Sequence, residues 1–495
     1  YIIGLLLLFN GGAMLITAGV SLVLNDGVFN DIVSSSIILI SFGLVLMFFN
    51  KNNIRQINKR DGYFIVTIGW LTMIFSGIFP YFLTDSITSF SNLIFESMSG
   101  YTATGSTIIS DIESLPKSII FWRSMTHWLG GMGIIVLAIA ILPLLGIGGM
   151  QLFSAEAPGS GISGDKIHPR ISATAKRLWY IYVGLTFTET IALNFAGMSF
   201  FDAINHSMSN IATGGFSTKN DSLSYWNSIP QIQYIIIFFM ILAGTNYLLI
   251  YSAILGKFKK LFKNTEFIWY ISFIIVFVLI TTLVLFLNVD LKNTEFDHPE
   301  IFGKFESSFR HSFFQIVAII TTTGFVTGDF AGWTPFLTML FFGLMFLGAS
   351  SGSTSGGIKV SRHLILIKNG FLEFKKALHP NAVLPLRYNH SVVKKEVIVN
   401  ILAFFMLYLI LFIVGAGVLS TQGLDFTSAI GGSAASLGNI GPAIGSLGPS
   451  LNYGDLSGFA KLWCSFLMLV GRLELFTFLI ICLLYTSDAA DEVVS

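Results

Sequence analysis

The sequence predicts an all-α polytopic membrane protein: an auxiliary helix pair followed by four pseudo-symmetric helix–pore-loop–helix repeats, with about ten spans and four re-entrant pore helices. Three observations carry that expectation. Long apolar runs recur through a chain that is 53% hydrophobic and only 11% charged, against about 25% charge in a soluble domain. The loops between them alternate between basic and acidic or nearly neutral. Four stretches rich in glycine and small hydroxyl residues return at nearly even spacing.

Crossing about 30 Å of hydrocarbon takes about 20 residues of helix. Runs of that kind lie at 3–24, 33–50, 63–83, 118–146, 177–197, 229–255, 267–287, 333–358, 396–418 and 457–484. The chain opens on Tyr1 inside an apolar run, so its native start is expected upstream. No A-x-A cleavage signal follows Leu24 and a second span comes at once, so this run reads as a mature helix rather than a signal peptide. Shorter, half-apolar pieces near 86–99, 201–211, 307–320 and 424–436 cannot span and are expected as re-entrant helices buried in protein.

Orientation follows from lysine and arginine in the loops. Residues 51–60, 166–177, 257–263 and 359–395 are basic, whereas 25–31, the Asp111/Glu113 loop and 290–300 are not. Alternate counting of spans puts every basic loop on one side, which is the cytoplasm. All four small-residue stretches then fall on the outer side, each just after a short helix. A net charge of +1 offers no field for nucleic acid. Cys464 and Cys482 sit in apolar runs as small buried hydrophobes and offer neither a disulfide framework nor a metal site.

The four stretches are "TATGS" from Thr102, "ATGGFST" from Ala212, "TTTGFVT" from Thr321 and "LGNIGPA" from Leu437. Aligned on Gly105, Gly215, Gly324 and Gly441, they stand 110, 109 and 117 residues apart. Each glycine follows a full span and a short helix and precedes another full span, which reads as pseudo-fourfold symmetry about one axis. Irregular backbone survives at membrane depth only where protein buries it or a wet cavity receives it. Four strands converging on one axis make a ring of carbonyl oxygens, able to replace the hydration shell of a monovalent cation. Glycine tolerates the backbone angles this requires. No Asp or Glu lies in the strands, which argues against a Ca²⁺ or Mg²⁺ site. The short helices would aim their C-terminal carbonyl ends at the axis.

In these segments the chain resembles the TrkH/TrkG/KtrB family of potassium-transport membrane subunits, most of all its TrkH branch. The resemblance runs over about 1–484 and is carried by "TATGST" (102–107), the 121–159 segment, "ATGGFST" (212–218), "TTTGF" (321–325), "GASSGSTSGGIKVSR" (348–362), "GNIGPAIG" (438–445) and "GRLELFT" (471–477). It implies the same plan of an auxiliary pair and four repeats. The boundaries fall at 1–60 for the auxiliary domain with its basic loop, then 61–165, 166–264, 265–380 and 381–484 for repeats 1 to 4. It also implies a homodimer in the bacterial inner membrane, in contact with lipid. Beneath it would sit a cytosolic TrkA- or KtrA-like nucleotide-binding ring, and the subunit itself would bind no cofactor. It maps the filter to Ala103, Thr104 and Gly105; Thr213, Gly214 and Gly215; Thr322, Thr323 and Gly324; and Asn439, Ile440 and Gly441. In related plant transporters a serine at the first filter position goes with sodium preference; Gly105 here favours potassium. The fourth strand lacks the threonine of the others, so the filter departs from true fourfold symmetry. The polar, acidic tail 485–495 departs from the cationic end the family implies, reads as a frameshift or cloning scar, and carries no expected role.

Below the filter, the run "GASSGSTSGG" (348–357) interrupts a span with poor helix formers. It lacks the order of a phosphate-binding P-loop. The resemblance implies an intramembrane gating loop, with Gly348, Ser350, Ser351, Gly352, Gly356 and Gly357 as its gating positions; a flexible helix kink is the alternative. Arg472 lies within a span and needs an interior partner, for which the free carbonyls of 348–357 are the best candidates. It either limits cation flow and pins the closed loop or ties two repeats together. Lys359 and Arg362 either anchor the loop or simply follow the positive-inside rule. Glu96 is either an outer-mouth cation attractor or a buried hydrogen-bonded carboxylate. His127, His206 and His311 lack ligand spacing and read as packing or interfacial residues; Trp122 and Trp128 fit an interfacial belt.

The expected function is potassium uptake through a gated, channel-like filter. A K⁺ symporter coupled to H⁺ or Na⁺ is the alternative; a proton relay would need membrane Asp, Glu or His in series, of which the spans offer few, Glu189, Glu474 and little else. A membrane-embedded enzyme would need a carboxylate or histidine cluster at one face, which the short outer loops lack.

Overall fold

The computed structural model describes residues 1–50, 59–131, 133, 171–291, 296, 298–382, 384–389 and 391–475. The expected features at 51–58, 134–170 and 476–495, including Cys482 and the acidic tail, lie outside these residues. The regular structure of the described residues is helical but for one short hairpin, as an apolar chain in lipid requires if its backbone is to satisfy itself.

Helices α1 (Ile2–Leu24) and α2 (Phe29–Phe49) form the front pair. They cross closely at Gly4 and Gly43, where a side chain on either would meet the other's backbone carbonyl at 2.7–2.8 Å. Asn10 ties the pair to the rest: its amide donates to Ser76 Oγ (2.7 Å) and its oxygen accepts from the Tyr101 hydroxyl (2.7 Å).

Repeat 1 holds α3 (Lys59–Gly77), α4 (Phe79–Leu83), the short α5 (Phe90–Tyr101) and α6 (Lys117–Gly131). Next come α7 (Ile171–Phe195), short α8 (Phe200–Ile211), α9 (Pro230–Ala243), α10 (Tyr247–Ile254) and α11 (Phe258–Lys263). The third group is α12 (Thr265–Asn288), short α13 (Lys304–Ile320), α14 (Pro335–Leu344) and α15 (Val360–Leu378). A two-stranded antiparallel hairpin, β1 (Arg387–Tyr388) with β2 (Ser391–Val392), leads to α16 (Lys395–Thr421), short α17 (Phe426–Gly438) and α18 (Gly458–Arg472). The short helices α5, α8, α13 and α17 occupy the four places expected for re-entrant helices.

Two expected spans are corrected. The 229–255 stretch is two helices, α9 and α10, meeting at 107°. Gly244, Thr245 and Asn246 break it, and the freed backbone is satisfied from another segment: Ser350 N donates to Gly244 O (3.0 Å) and Tyr247 N to Gly352 O (3.1 Å). The 333–358 stretch is helical only over Pro335–Leu344. Among the described residues five helices are long and apolar enough to cross a membrane, and the bent pair would make a sixth. The tally falls short of ten partly because α6 runs up to the limit of the described residues and α18 stops at Arg472, where Glu474 and Leu475 turn left-handed. In addition α7 carries four threonines, Glu189 and Asn194, which lower its apolarity.

Trp122 is also corrected. It is fully buried, its indole donating to Gly77 O (3.1 Å), because it fills the core between the front pair and repeat 1. Trp128 is half-buried and donates to Thr186 Oγ1 (3.1 Å). His127, His206 and His311 are packing residues, all fully buried.

Candidate ion pathway

Each short helix ends in the same way. Ala103, Thr213, Thr322 and Asn439 adopt left-handed φ values of 52–55°. The next amide reaches back to the last turn: Thr104 N to Ser99 O, Gly214 N to Ser209 O, Thr323 N to Ala318 O and Ile440 N to Ala435 O, at 2.8–3.0 Å. This is a Schellman-type cap, usually built on glycine. A non-glycine residue held there stores of the order of 1–3 kcal/mol, and four in register mark a functional constraint.

Two residues on, Gly105, Gly215, Gly324 and Gly441 turn left-handed again, with φ between 74° and 97°. Here glycine is required twice over. A β-carbon on Gly105 would lie 2.0 Å from Gly214 O; on Gly215, 2.2 Å from Thr323 O; on Gly324, 1.9 Å from Ile440 O; on Gly441, 2.7 Å from Thr104 O. Strand 1 thus abuts strand 2, strand 2 abuts 3, 3 abuts 4, and 4 returns to 1. The four bends close a ring around one axis, and all four glycines line one pocket that opens to the outer side.

The ring is not fourfold in its side chains. Thr102 and Thr104 hydroxyls pair at 2.7 Å, and Thr321 and Thr323 at 2.8 Å. At the matching place in strand 2 stands Gly214, because the His127 ring occupies that space; a β-carbon would lie 2.3 Å from its Nδ1. His127 Nδ1 is 2.9 Å from Ser209 Oγ and its ring stacks on Phe216 at 4.0 Å. In strand 4 Ile440 stands at that place, and Asn439 before it, level with Thr213 and Thr322, donates to Thr104 Oγ1 (3.0 Å) and Met468 O (2.9 Å). The sequence marks His127 only as a packing or interfacial residue; the one signal of its place behind strand 2 was the doubled glycine of "ATGGF".

Buried polar groups brace the outer ends of the strands. Glu96 and Arg123 form an ion pair (2.8 Å) in which neither is more than 1% exposed. Glu96 also accepts from Thr107 Oγ1 and Ile108 N, all at 3.1 Å. Arg123 donates to Thr107 Oγ1 (3.1 Å) and Ser217 O (3.4 Å), and lies over the Phe216 ring. Glu96 is therefore the buried hydrogen-bonded carboxylate of the two readings. His206 Nε2 meets Ser217 Oγ (2.9 Å), His311 Nδ1 meets Thr327 Oγ1 (3.1 Å), and the Tyr453 hydroxyl donates to Gly441 O (3.1 Å). Arg123→Met should cost about 3–5 kcal/mol, since it strands a buried carboxylate. Thermal unfolding in detergent would register the loss, whereas Glu96→Gln with Arg123→Met together should recover part of it.

Directly under the ring lies the non-helical segment 348–357. Gly356 N donates to Thr322 Oγ1 (2.6 Å), and a β-carbon on Gly356 would meet Gly438 O at 2.6 Å. Gly348 N bonds Ile358 O (2.8 Å), and Gly357 is left-handed (φ 64°) against Gly348. Asn246 Nδ2 donates to Ser351 O (2.7 Å), and Thr354 Oγ1 to Ile211 O (3.0 Å). Arg472 donates to Thr354 O (2.9 Å) and to Gly130 O and Gly131 O (2.8 and 3.1 Å), so it reaches both the loop and repeat 1. Lys359, 8% exposed, turns back onto Ser355 O and Ser355 Oγ. Arg362 pairs with Glu474 and lies over the Phe404 ring.

Four short helices whose bends close into one ring, set among apolar spans and above a buried polar loop, define a multi-pass membrane protein. Comparison with known proteins agrees. The family model for TrkH, described as a cation transport protein, matches residues 29–491. The Trk system potassium uptake protein TrkH of Vibrio parahaemolyticus is 39% identical over 484 residues, covering 97% of each chain. That of Escherichia coli K12 is 38% identical over 482 residues with the same coverage. The Trk system potassium uptake protein TrkG of E. coli is 33% identical over 429 residues, covering 86% of this chain and 85% of that one. The crystal structure of the potassium transporter TrkH from V. parahaemolyticus superposes with a TM-score of 0.85 at 37% identity, covering 97% of both chains. The chain belongs to the TrkH family of cation transport proteins, and its relatives are named as transporters rather than enzymes.

Proposed function

We propose that this chain takes up potassium across the bacterial cell membrane by a channel-like route whose narrowest part is the carbonyl ring of the four strands. The observation that carries the reading is the closure of that ring through Gly105, Gly215, Gly324 and Gly441. Alternating left-handed and ordinary residues keep the strands from pleating as β-strands do, so successive carbonyls can face one side. Oxygens from Ala103, Thr104, Thr213, Gly214, Thr322, Thr323, Asn439 and Ile440 would then replace the hydration shell of K⁺, with the helix C-termini adding negative potential. The relatives' names supply the choice of ion.

The loop 348–357 is the gate in this reading, held beneath the ring by Arg472 and Lys359. Repeat boundaries at 61–165, 166–264, 265–380 and 381–484, a homodimer, and control by a cytosolic TrkA- or KtrA-like nucleotide-binding ring belong to the same proposal. The chain itself would bind no cofactor; K⁺ is its cargo.

Coupled symport with H⁺ or Na⁺ is less well supported, because Glu189 and Glu474 do not form a series: Glu189 accepts from Asn210 (2.5 Å) and Glu474 is tied to Arg362. Reversal potentials in reconstituted bilayers separate the two. A potential that follows the K⁺ gradient alone is expected; one that moves with pH or Na⁺ would establish coupling instead.

A further inference from the structure

Glu266 stands in the first turn of α12, 2% exposed. Its two oxygens serve different segments. Oε1 accepts from Ser351 N in the intramembrane loop (2.6 Å), and Oε2 accepts from the Tyr388 hydroxyl (3.1 Å). Tyr388 belongs to the short hairpin between α15 and α16, within the basic segment 359–395 that orients to the cytoplasm. The same hairpin holds the start of α12 a second time, since Asn389 Oδ1 accepts from Thr265 N (2.9 Å). Its ring side is seated in an apolar cluster with Leu364, Ile365, Leu386 and Ile401.

We infer that Tyr388 and Glu266 form a latch that positions the loop 348–357 in its blocking place and ties that place to the cytoplasmic hairpin. The inference rests on the reading of 348–357 as the gate. Its physical content is a path of hydrogen bonds joined by the backbone of the loop. The hairpin hydroxyl holds the carboxylate, the carboxylate holds Ser351 N, and five residues on, Gly356 N is bonded to Thr322 of the ring. A carboxylate with two donors is fixed in rotamer. With the Tyr388 donor gone it can turn toward other partners, and Ser351 N loses an acceptor that is itself charged, the stronger kind of hydrogen bond. Displacement of the hairpin by anything on the cytoplasmic face would do the same. Tyr388 and Glu266 are positioning residues here, for neither touches the ring.

The test uses the full chain in proteoliposomes, with Rb⁺ as the tracer. Tyr388→Phe removes only the hydroxyl and keeps the ring in its cluster, so folding is spared. The expected result is a rise in basal flux of about tenfold, the worth of one hydrogen bond to a charged group, with Rb⁺ over Na⁺ preference unchanged. Glu266→Ala should raise flux at least as much, and the double variant no further. The second readout is accessibility: with Cys464→Ala and Cys482→Ala as background, Ser353→Cys is labelled from the cytoplasmic side by a membrane-impermeant thiol reagent. Labelling should quicken with Tyr388→Phe, a change that lost stability elsewhere would not produce. Failure of either flux or labelling to rise overturns the latch. Deletion of 352–355, run alongside, separates the two ideas. If deletion raises flux while Tyr388→Phe does nothing, the latch alone is wrong; if deletion does nothing, the gate reading falls and takes the latch with it.

Discussion

Replacing Gly105 by serine is expected to lower K⁺ over Na⁺ discrimination about 10- to 100-fold. The new β-carbon would sit 2.0 Å from Gly214 O, a contact real atoms do not make, on a residue held at φ +85°. Strand 1 or strand 2 must move, and the carbonyls of one quarter of the ring move with it. Left-handed strain costs about 1–3 kcal/mol on its own, and each 1.4 kcal/mol of lost differential binding is about tenfold. The same substitution should be as damaging at Gly215 and Gly324, where the neighbouring carbonyls stand at 2.2 and 1.9 Å. It should be mildest at Gly441, where Thr104 O is 2.7 Å away. Bi-ionic reversal potentials for the four serine variants would read that ranking. Unchanged selectivity in folded Gly105→Ser protein, or Gly441 proving the most sensitive of the four, would remove the carbonyl ring from the selectivity step.

The second large effect is expected at Arg472. Its guanidinium bridges Thr354 O of the loop and the carbonyls of Gly130 and Gly131 in α6. These bonds are charge-assisted, each worth about 1.5–3 kcal/mol, and one of them fixes the loop. Arg472→Gln keeps length but surrenders the charge and the fork of donors. Basal K⁺ flux should rise about tenfold or more, because the closed arrangement loses a tie that an open arrangement need not possess. Shortening 348–357 should have the same sign. Single-channel recordings would distinguish more frequent opening, as expected here, from a larger unitary current; the latter would mean that Arg472 acts on the ion as a positive charge and not on the loop. Lower flux in well-folded Arg472→Gln protein would sink the gate assignment.

Much of this architecture was legible in the residues, and for a local reason. The re-entrant helices were visible as short half-apolar pieces, and the ring glycines by their spacing of about 110, because both depend on what a single residue permits its own backbone to do. Arg472 was also legible as far as its partner: a cation within a span seeks orphan carbonyls, and the segment richest in them was 348–357. What remained hidden depended on choices among distant partners. Glu96 could have faced the outer mouth; it faces Arg123 because α5 and α6 pack with both side chains turned inward, 27 residues apart in sequence. Trp122 reads as a belt residue until the front pair is known to cover it. The 107° break in 229–255 looked like a continuous apolar span, since Gly-Thr-Asn alone does not dictate a bend. The bend exists because the loop 348–357 comes to satisfy the backbone it exposes.

The sequence by itself determined that this chain crosses a membrane, repeats its unit four times, and carries a glycine at the matching place of each repeat. Hydrophobic length, loop charge and permitted φ are properties written residue by residue. Only the tertiary structure decided that the four bends meet head to tail, that His127 takes the place of a threonine behind strand 2, and that Glu266 joins the loop to Tyr388. Those contacts link positions 85 to 337 residues apart. Over such separations the partner is selected by packing and by the cost of leaving a buried polar group unpaired, neither of which has a period that a linear reading can follow.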